Sequence, residues 1–245
     1  MSQDAYDLDY RYSAAEAVAA ERATFVRRVY MHLAGAILAL IGIEFLLVTG
    51  LNVEQHKQIL MAMYGSPWSW LIVLLAFMGA SYLAQTWAQS RTSPAMQYLG
   101  LGLYVCVWAI IMLPLLLVAH YLPVNNGANV IAQAGILTGA LFGGLTLAVF
   151  VTRQDFNFLG PVICVGSLIA LGVILAGILF GFTLGLFFCF AMVALVSASI
   201  LYNTSNVMLH YPTDMYVAAS LELFADVAML FMYILRILML SNNRD

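Results

Sequence analysis

Three carboxylic acids stand inside long apolar stretches of this 245-residue chain: Glu44, Glu222 and Asp226. Charges in such surroundings are costly, so each marks either a functional site or a residue near a membrane surface. Glu222 and Asp226 are four residues apart, and on a helix that spacing puts both side chains on one face. Two carboxylates brought together away from water repel, and they settle by sharing a proton, binding a cation or pairing with a base. The next base on the same stretch is Arg236, about 15 Å farther along a helix axis at about 1.5 Å per residue. A proton or a cation is the expected companion. Glu44 has no acidic neighbour and fits either a hydrogen bond across a helix bundle or an ion path. His210, in a polar connection, is a secondary candidate as a pH sensor, because an unperturbed imidazole titrates near pH 6.5. His32, His56 and His120 show no metal-ligand spacing.

The elements that must carry these acids follow from composition. Hydrophobic residues make up 64 % of the chain and charged residues 9 %, and the mean hydropathy is +0.95. A soluble domain averages about 25 % charged residues, so the expected solvent is lipid. Seven apolar runs follow a polar beginning, at 29–50, 68–88, 97–121, 130–151, 159–180, 183–202 and 216–240. Each has about the 20 residues that a helix needs to cross a bilayer. Lipid-exposed backbone must satisfy itself, so each run is expected to be helical, and none shows the alternation of a β-barrel strand. The predicted fold class is all-α, a seven-transmembrane-helix bundle over 29–245 behind a polar N-terminal tail at 1–28. The segments 52–67, 89–96, 122–129 and 152–158 are expected to be connections. Phe180, Gly181 and Phe182 should form a tight helical hairpin, and Pro114 should kink the third run.

Small residues recur four apart at Gly135, Gly139 and Gly143, and at Gly177, Gly181 and Gly185. The expectation is close helix packing on both faces. Cys106, Cys164 and Cys189 lie in apolar runs without CxxC spacing and are read as small buried hydrophobes. Lys and Arg placement favours a cytoplasmic N-terminus, with a re-entrant last run as the alternative. No cleavable signal peptide is expected. The net charge of −3 and the lack of a basic cluster exclude a nucleic-acid partner. No GxSxG, HExxH or phosphate-cradling glycine loop occurs, so no enzyme is expected.

Two segments resemble the Bax inhibitor (TMBIM) family, in particular its bacterial YccA-like branch. One runs from Thr138 to Gly160 (TGALFGGLTLAVFVTRQDFNFLG). The other, Ser199 to Met239, contains Ile200-Leu201-Tyr202-Asn203-Thr204-Ser205-Asn206-Val207 ahead of a loop and a final charged run. The resemblance implies a bundle whose last helix is central. It also implies a pH-sensitive calcium leak attributed to two aspartates, one on the sixth helix and one on the seventh. Here the first position is Asn203 and the second is Asp226, so one end of that pair is an amide. Glu222 is the candidate to supply the missing acid. No cofactor is expected beyond calcium as the ion. The expected surroundings are the lipid bilayer of a bacterial inner membrane, and the alternative to a leak is a non-conducting regulator of a membrane-bound protease or another membrane protein.

Overall fold

A computed structural model describes residues 19–90, 93–121 and 129–242. The polar tail at 1–18 and most of the connection at 122–129 lie outside the described residues. Eight helices are described: α1 (Ala19–Gly50), α2 (Val53–Tyr64), α3 (Pro67–Ala88), α4 (Pro94–Tyr121), α5 (Val130–Thr152), α6 (Gly160–Phe180), α7 (Leu186–Leu209) and α8 (Tyr216–Asn242). All but α2 are long and apolar enough to cross a membrane. No strand occurs among the described residues. The chain is an all-α polytopic membrane bundle, as its composition requires.

Local chemistry sets the helix ends. The Ser66 side chain accepts from the Trp68 amide, with Pro67 in the first turn of α3, where its missing N–H costs nothing. The Asn129 side chain accepts from the amides of Ile131 and Ala132 to start α5. Gly181 closes α6 with φ +73°, a backbone that favours residues without a Cβ. The predicted hairpin therefore forms, but the two glycines flanking its turn are caps. Gly181 ends α6 and Gly185 precedes α7, so Gly177, Gly181 and Gly185 do not form one helix face as expected.

Two helices share the centre of the bundle. α8 packs against α1, α3, α4, α5 and α7, and α4 is buried along more of its length than any other span. The last helix is central, as expected, although α6 stays outside that contact and leans on α7 and α3. Trp108 and Tyr104 of α4 meet Phe224 of α8 and Phe77 of α3 edge to face. Outward faces are apolar instead: Phe187 is 87 % exposed and Val151 80 %. A soluble monomer rarely exposes such apolar area, whereas lipid covers it without cost. Cys106 and Cys164 also face outward and only Cys189 is buried, which corrects the expectation for the first two.

The expected connection at 52–67 contains α2. It is too short to span, and His56 and Met63 are its buried residues. The Tyr121 hydroxyl bonds His56 Nδ1 at 2.7 Å, which ties α2 to the end of α4. α1 runs unbroken from Ala19 through Arg28, so no helix end marks the border between polar tail and first span. α4 likewise continues through Pro114.

Close packing falls on a glycine outside the two predicted faces. A Cβ on Gly100 of α4 would lie 2.5 Å from the Ala88 amide nitrogen and 2.6 Å from the Ala84 carbonyl oxygen of α3. A Cβ on Gly135, Gly139 or Gly143 would meet nothing within 4 Å, so that face is open. Gly100→Ala should therefore destabilise the detergent-solubilised protein by about 1–3 kcal/mol through overpacking against rigid backbone. Gly135→Ala should leave stability unchanged or raise it by up to about 1 kcal/mol through helix propensity. Thermal unfolding of both variants checks the order, and equal behaviour would contradict the packing described.

Candidate functional site

Asp226 projects from the middle of α8 and is 7 % exposed. A buried carboxylate needs donors, and α7 supplies them. Ser199 Oγ donates to Asp226 Oδ1 at 2.7 Å, and Asn203 Nδ2 donates to Asp226 Oδ2 at 2.8 Å. Ser199 and Asn203 are one turn apart, so both face the same carboxylate, and Asn203 Nδ2 also reaches Ser199 Oγ at 3.3 Å. The arrangement is a clamp between two adjacent transmembrane helices, closed on one acid.

Glu222, one turn earlier on α8, is half-buried and holds a different partner. The Tyr211 hydroxyl, from the connection between α7 and α8, donates to Glu222 Oε1 at 2.5 Å. Burial, followed by the charge of Glu222, pushes the Tyr211 phenol above its ordinary value of 10.0. The structure thus brings Asn203 and Asp226 into contact, while Glu222 sits one turn from Asp226 on α8 under its own latch.

His210 lies outside the clamp. Its Nε2 is 3.4 Å from Asp155 Oδ2, with both side chains about half exposed. Asp155 belongs to the loop after α5, where Arg153 caps the helix in a left-handed conformation. The Asn157 amide donates to Asp155 Oδ1 and the Phe156 amide to Ser205 Oγ of α7. The two sequence segments that carried the resemblance therefore meet at one end of the bundle. Beside them is an open cleft of about 350 Å³, lined by Asn157, Tyr202, Asn206, His210, Tyr211 and Pro212. Tyr202 and Asn206 stand on either side of Asn203 along α7.

Glu44 is 6 % exposed, and among the described residues neither of its carboxylate oxygens has a hydrogen-bond partner. It makes no contact with the clamp that a hydrogen bond records. Among the described residues no group of three or more His, Cys, Asp or Glu is arranged to hold a metal ion.

Sequence reasoning missed Ser199 and Tyr211. Ser199 was findable, because it precedes Asn203 by one helical turn. Tyr211 sits in a non-repeating connection, and no spacing rule points from it to Glu222.

The fold and the acid-bearing last helix define a polytopic helical membrane protein with a carboxylate enclosed in its core. The family profile described as Inhibitor of apoptosis-promoting Bax1 matches residues 22–244, and the chain belongs to this Bax inhibitor family. An uncharacterized protein of Pseudomonas aeruginosa is 33 % identical over 126 residues, 51 % of this chain and 56 % of that protein. An uncharacterized membrane protein of Vibrio cholerae matches to the same identity and extent. The chain thus spans about half the length of these bacterial relatives. LIFEGUARD 3 of Arabidopsis thaliana is 29 % identical over 221 residues, 87 % of this chain and 83 % of that protein.

Two outcomes follow from the clamp and its latch. Ser199→Ala should cost about 1–3 kcal/mol, because Asp226 loses a buried donor. Ser197→Ala, whose hydroxyl bonds only to Val193 O of its own helix, should be near neutral. Unfolding in mixed detergent measures both, and equal costs would contradict the clamp. The raised Tyr211 phenol keeps its proton in the folded state above pH 10, where an unfolded tyrosine loses it. Its contribution is therefore complete below about pH 10 and declines as pH rises further. Tyr211→Phe should flatten the alkaline loss of stability, and an unchanged slope between pH 9 and pH 11 would count against the latch.

Proposed function

We propose that this protein is a pH-sensitive cation leak, with calcium as the ion and Asp226 as its ion or proton site. It lies in a bacterial inner membrane with its N-terminus cytoplasmic, and it is not an enzyme. The observation that supports the reading best is the placement of Asp226. Its carboxylate is enclosed between two transmembrane helices and bounded by groups that can exchange roles. In the described state both oxygens accept from α7. A half turn of the Asn203 amide replaces an N–H donor with a carbonyl oxygen, an acceptor suited to a hard cation. Asp226, the Asn203 carbonyl and Ser199 Oγ then make three ligand groups, and Glu222 adds a fourth once Tyr211 releases it. Calcium takes six to eight oxygens, so water would fill the rest, as suits an ion in passage. The open glycine face of α5 favours a second reading, a non-conducting regulator that docks a membrane-bound protease or another membrane protein.

The test is calcium flux into vesicles containing only this protein, from pH 5 to pH 8. A proton on Asp226 removes the charge that attracts the cation, so flux should fall as pH falls. Asp226→Asn should lower flux about tenfold or more, the equivalent of one charge-assisted interaction, and should flatten its pH dependence. Glu222→Gln should lower it less. Asn203→Asp puts a second carboxylate against Asp226, and the pair should titrate as a unit with a shifted profile. No flux at any pH would overturn the leak and leave the docking role, and wild-type flux from Asp226→Asn would overturn Asp226 as its site.

A further inference from the structure

A groove of about 560 Å³ runs along the outside of the bundle between α1 and α4. It is lined mainly by apolar groups, with Gly35, Ala39 and Ile43 on one side and Leu101, Gly102 and Cys106 on the other. From Met31 to Ile43 its α1 wall is about 18 Å long at about 1.5 Å per residue. That is close to one leaflet, half of a hydrocarbon core of about 30 Å. The groove owes its depth to missing side chains: a Cβ on Gly35 or Gly102 would meet nothing within 4 Å.

One end of the groove is polar, lined by His32 and Tyr98, and a cation stands just beyond it. Arg28, one turn before His32 on α1, sits over the Tyr216 ring with its guanidinium carbon 5.5 Å from the centroid. The Arg28 carbonyl can only accept, so His32 Nδ1 carries the proton and donates to it at 2.7 Å. His32 Nε2 shares a hydrogen bond with the Tyr98 hydroxyl at 3.1 Å, and the Tyr98 and Tyr216 hydroxyls are 3.3 Å apart. This chain of bonds fixes both phenols, and Tyr216 in turn holds the guanidinium by its face. A guanidinium held that way keeps its N–H fork for an oxyanion. No carboxylate pairs with Arg28 among the described residues, and Arg27 beside it is also exposed. Tyrosines at such a level are typical of the headgroup boundary.

We propose that this groove binds one anionic phospholipid of the leaflet on the N-terminal side, with an acyl chain between α1 and α4 and the phosphate on Arg28. The charge at the mouth and the apolar trough behind it match the two halves of that molecule. A zwitterionic lipid offers the same chains but a compensated headgroup, so Arg28 selects the anionic one.

The experiment uses the full chain reconstituted in equal phosphatidylglycerol and phosphatidylcholine, extracted into mild detergent and weighed intact by native mass spectrometry. Wild type should retain one phospholipid, with phosphatidylglycerol favoured about fivefold, the effect of one arginine near a membrane surface. Arg28→Gln should bring the two lipids to parity. The paired substitution Gly35→Leu with Gly102→Leu fills open space, so it should abolish retention without lowering the melting temperature. The proposal is overturned if the filled groove retains lipid as wild type does, or if Arg28→Gln keeps the preference. It is also overturned if a Cys164→Ser protein cross-links to a second copy through Cys106 in native membranes, since a protein would then occupy the groove.

Discussion

A carboxylate buried in a lipid-embedded bundle has to find its donors on neighbouring helices, and that requirement organises this molecule. Asp226 stands on α8, which five other spans enclose. Burial takes most of its solvation away, and Ser199 and Asn203 of α7 replace it at 2.7 and 2.8 Å. The exchange fixes the register of α7 against α8 as well as the charge. In lipid, where apolar faces gain little from meeting one another, such bonds and close packing are what hold helices in place.

Further polar contacts at one end of the bundle serve the same pair of helices. The loop after α5 is tied to α7 through Ser205, and Asp155 faces His210 at the end of that helix. Tyr211 then fastens the start of α8 through Glu222. α4 plays a different part. Its buried length and its contact with α3 at Gly100 make it the rigid wall against which α8 rests.

Much of the architecture was legible because lipid imposes a length and a composition on every span. The seven runs and the hairpin at Gly181 follow from that constraint alone. α2 was not legible, since its twelve residues mix charge with apolar groups and only His56 and Met63 find burial, against elements distant in sequence. The glycine faces were misassigned because spacing says which residues share a face but not what the face meets. Gly135, Gly139 and Gly143 look outward, while Gly100, outside both repeats, makes the close approach. At the site, Asp226, Glu222 and Asn203 were all identifiable from the sequence, the two acids because they stand in the last apolar run and Asn203 through the resemblance alone. Their separation into a clamp and a latch was not, because it depends on Ser199 and Tyr211, which reveal themselves only in three dimensions.

The central claim is that Asn203 and Asp226 act as a coupled pair joining α7 to α8. A double-mutant cycle on unfolding free energy, with Asn203→Ala, Asp226→Ala and the combination, tests it most directly. A direct buried contact predicts a coupling of about 0.5–3 kcal/mol between the two substitutions. Strictly additive costs would contradict the clamp, and with it the site assigned to this membrane protein.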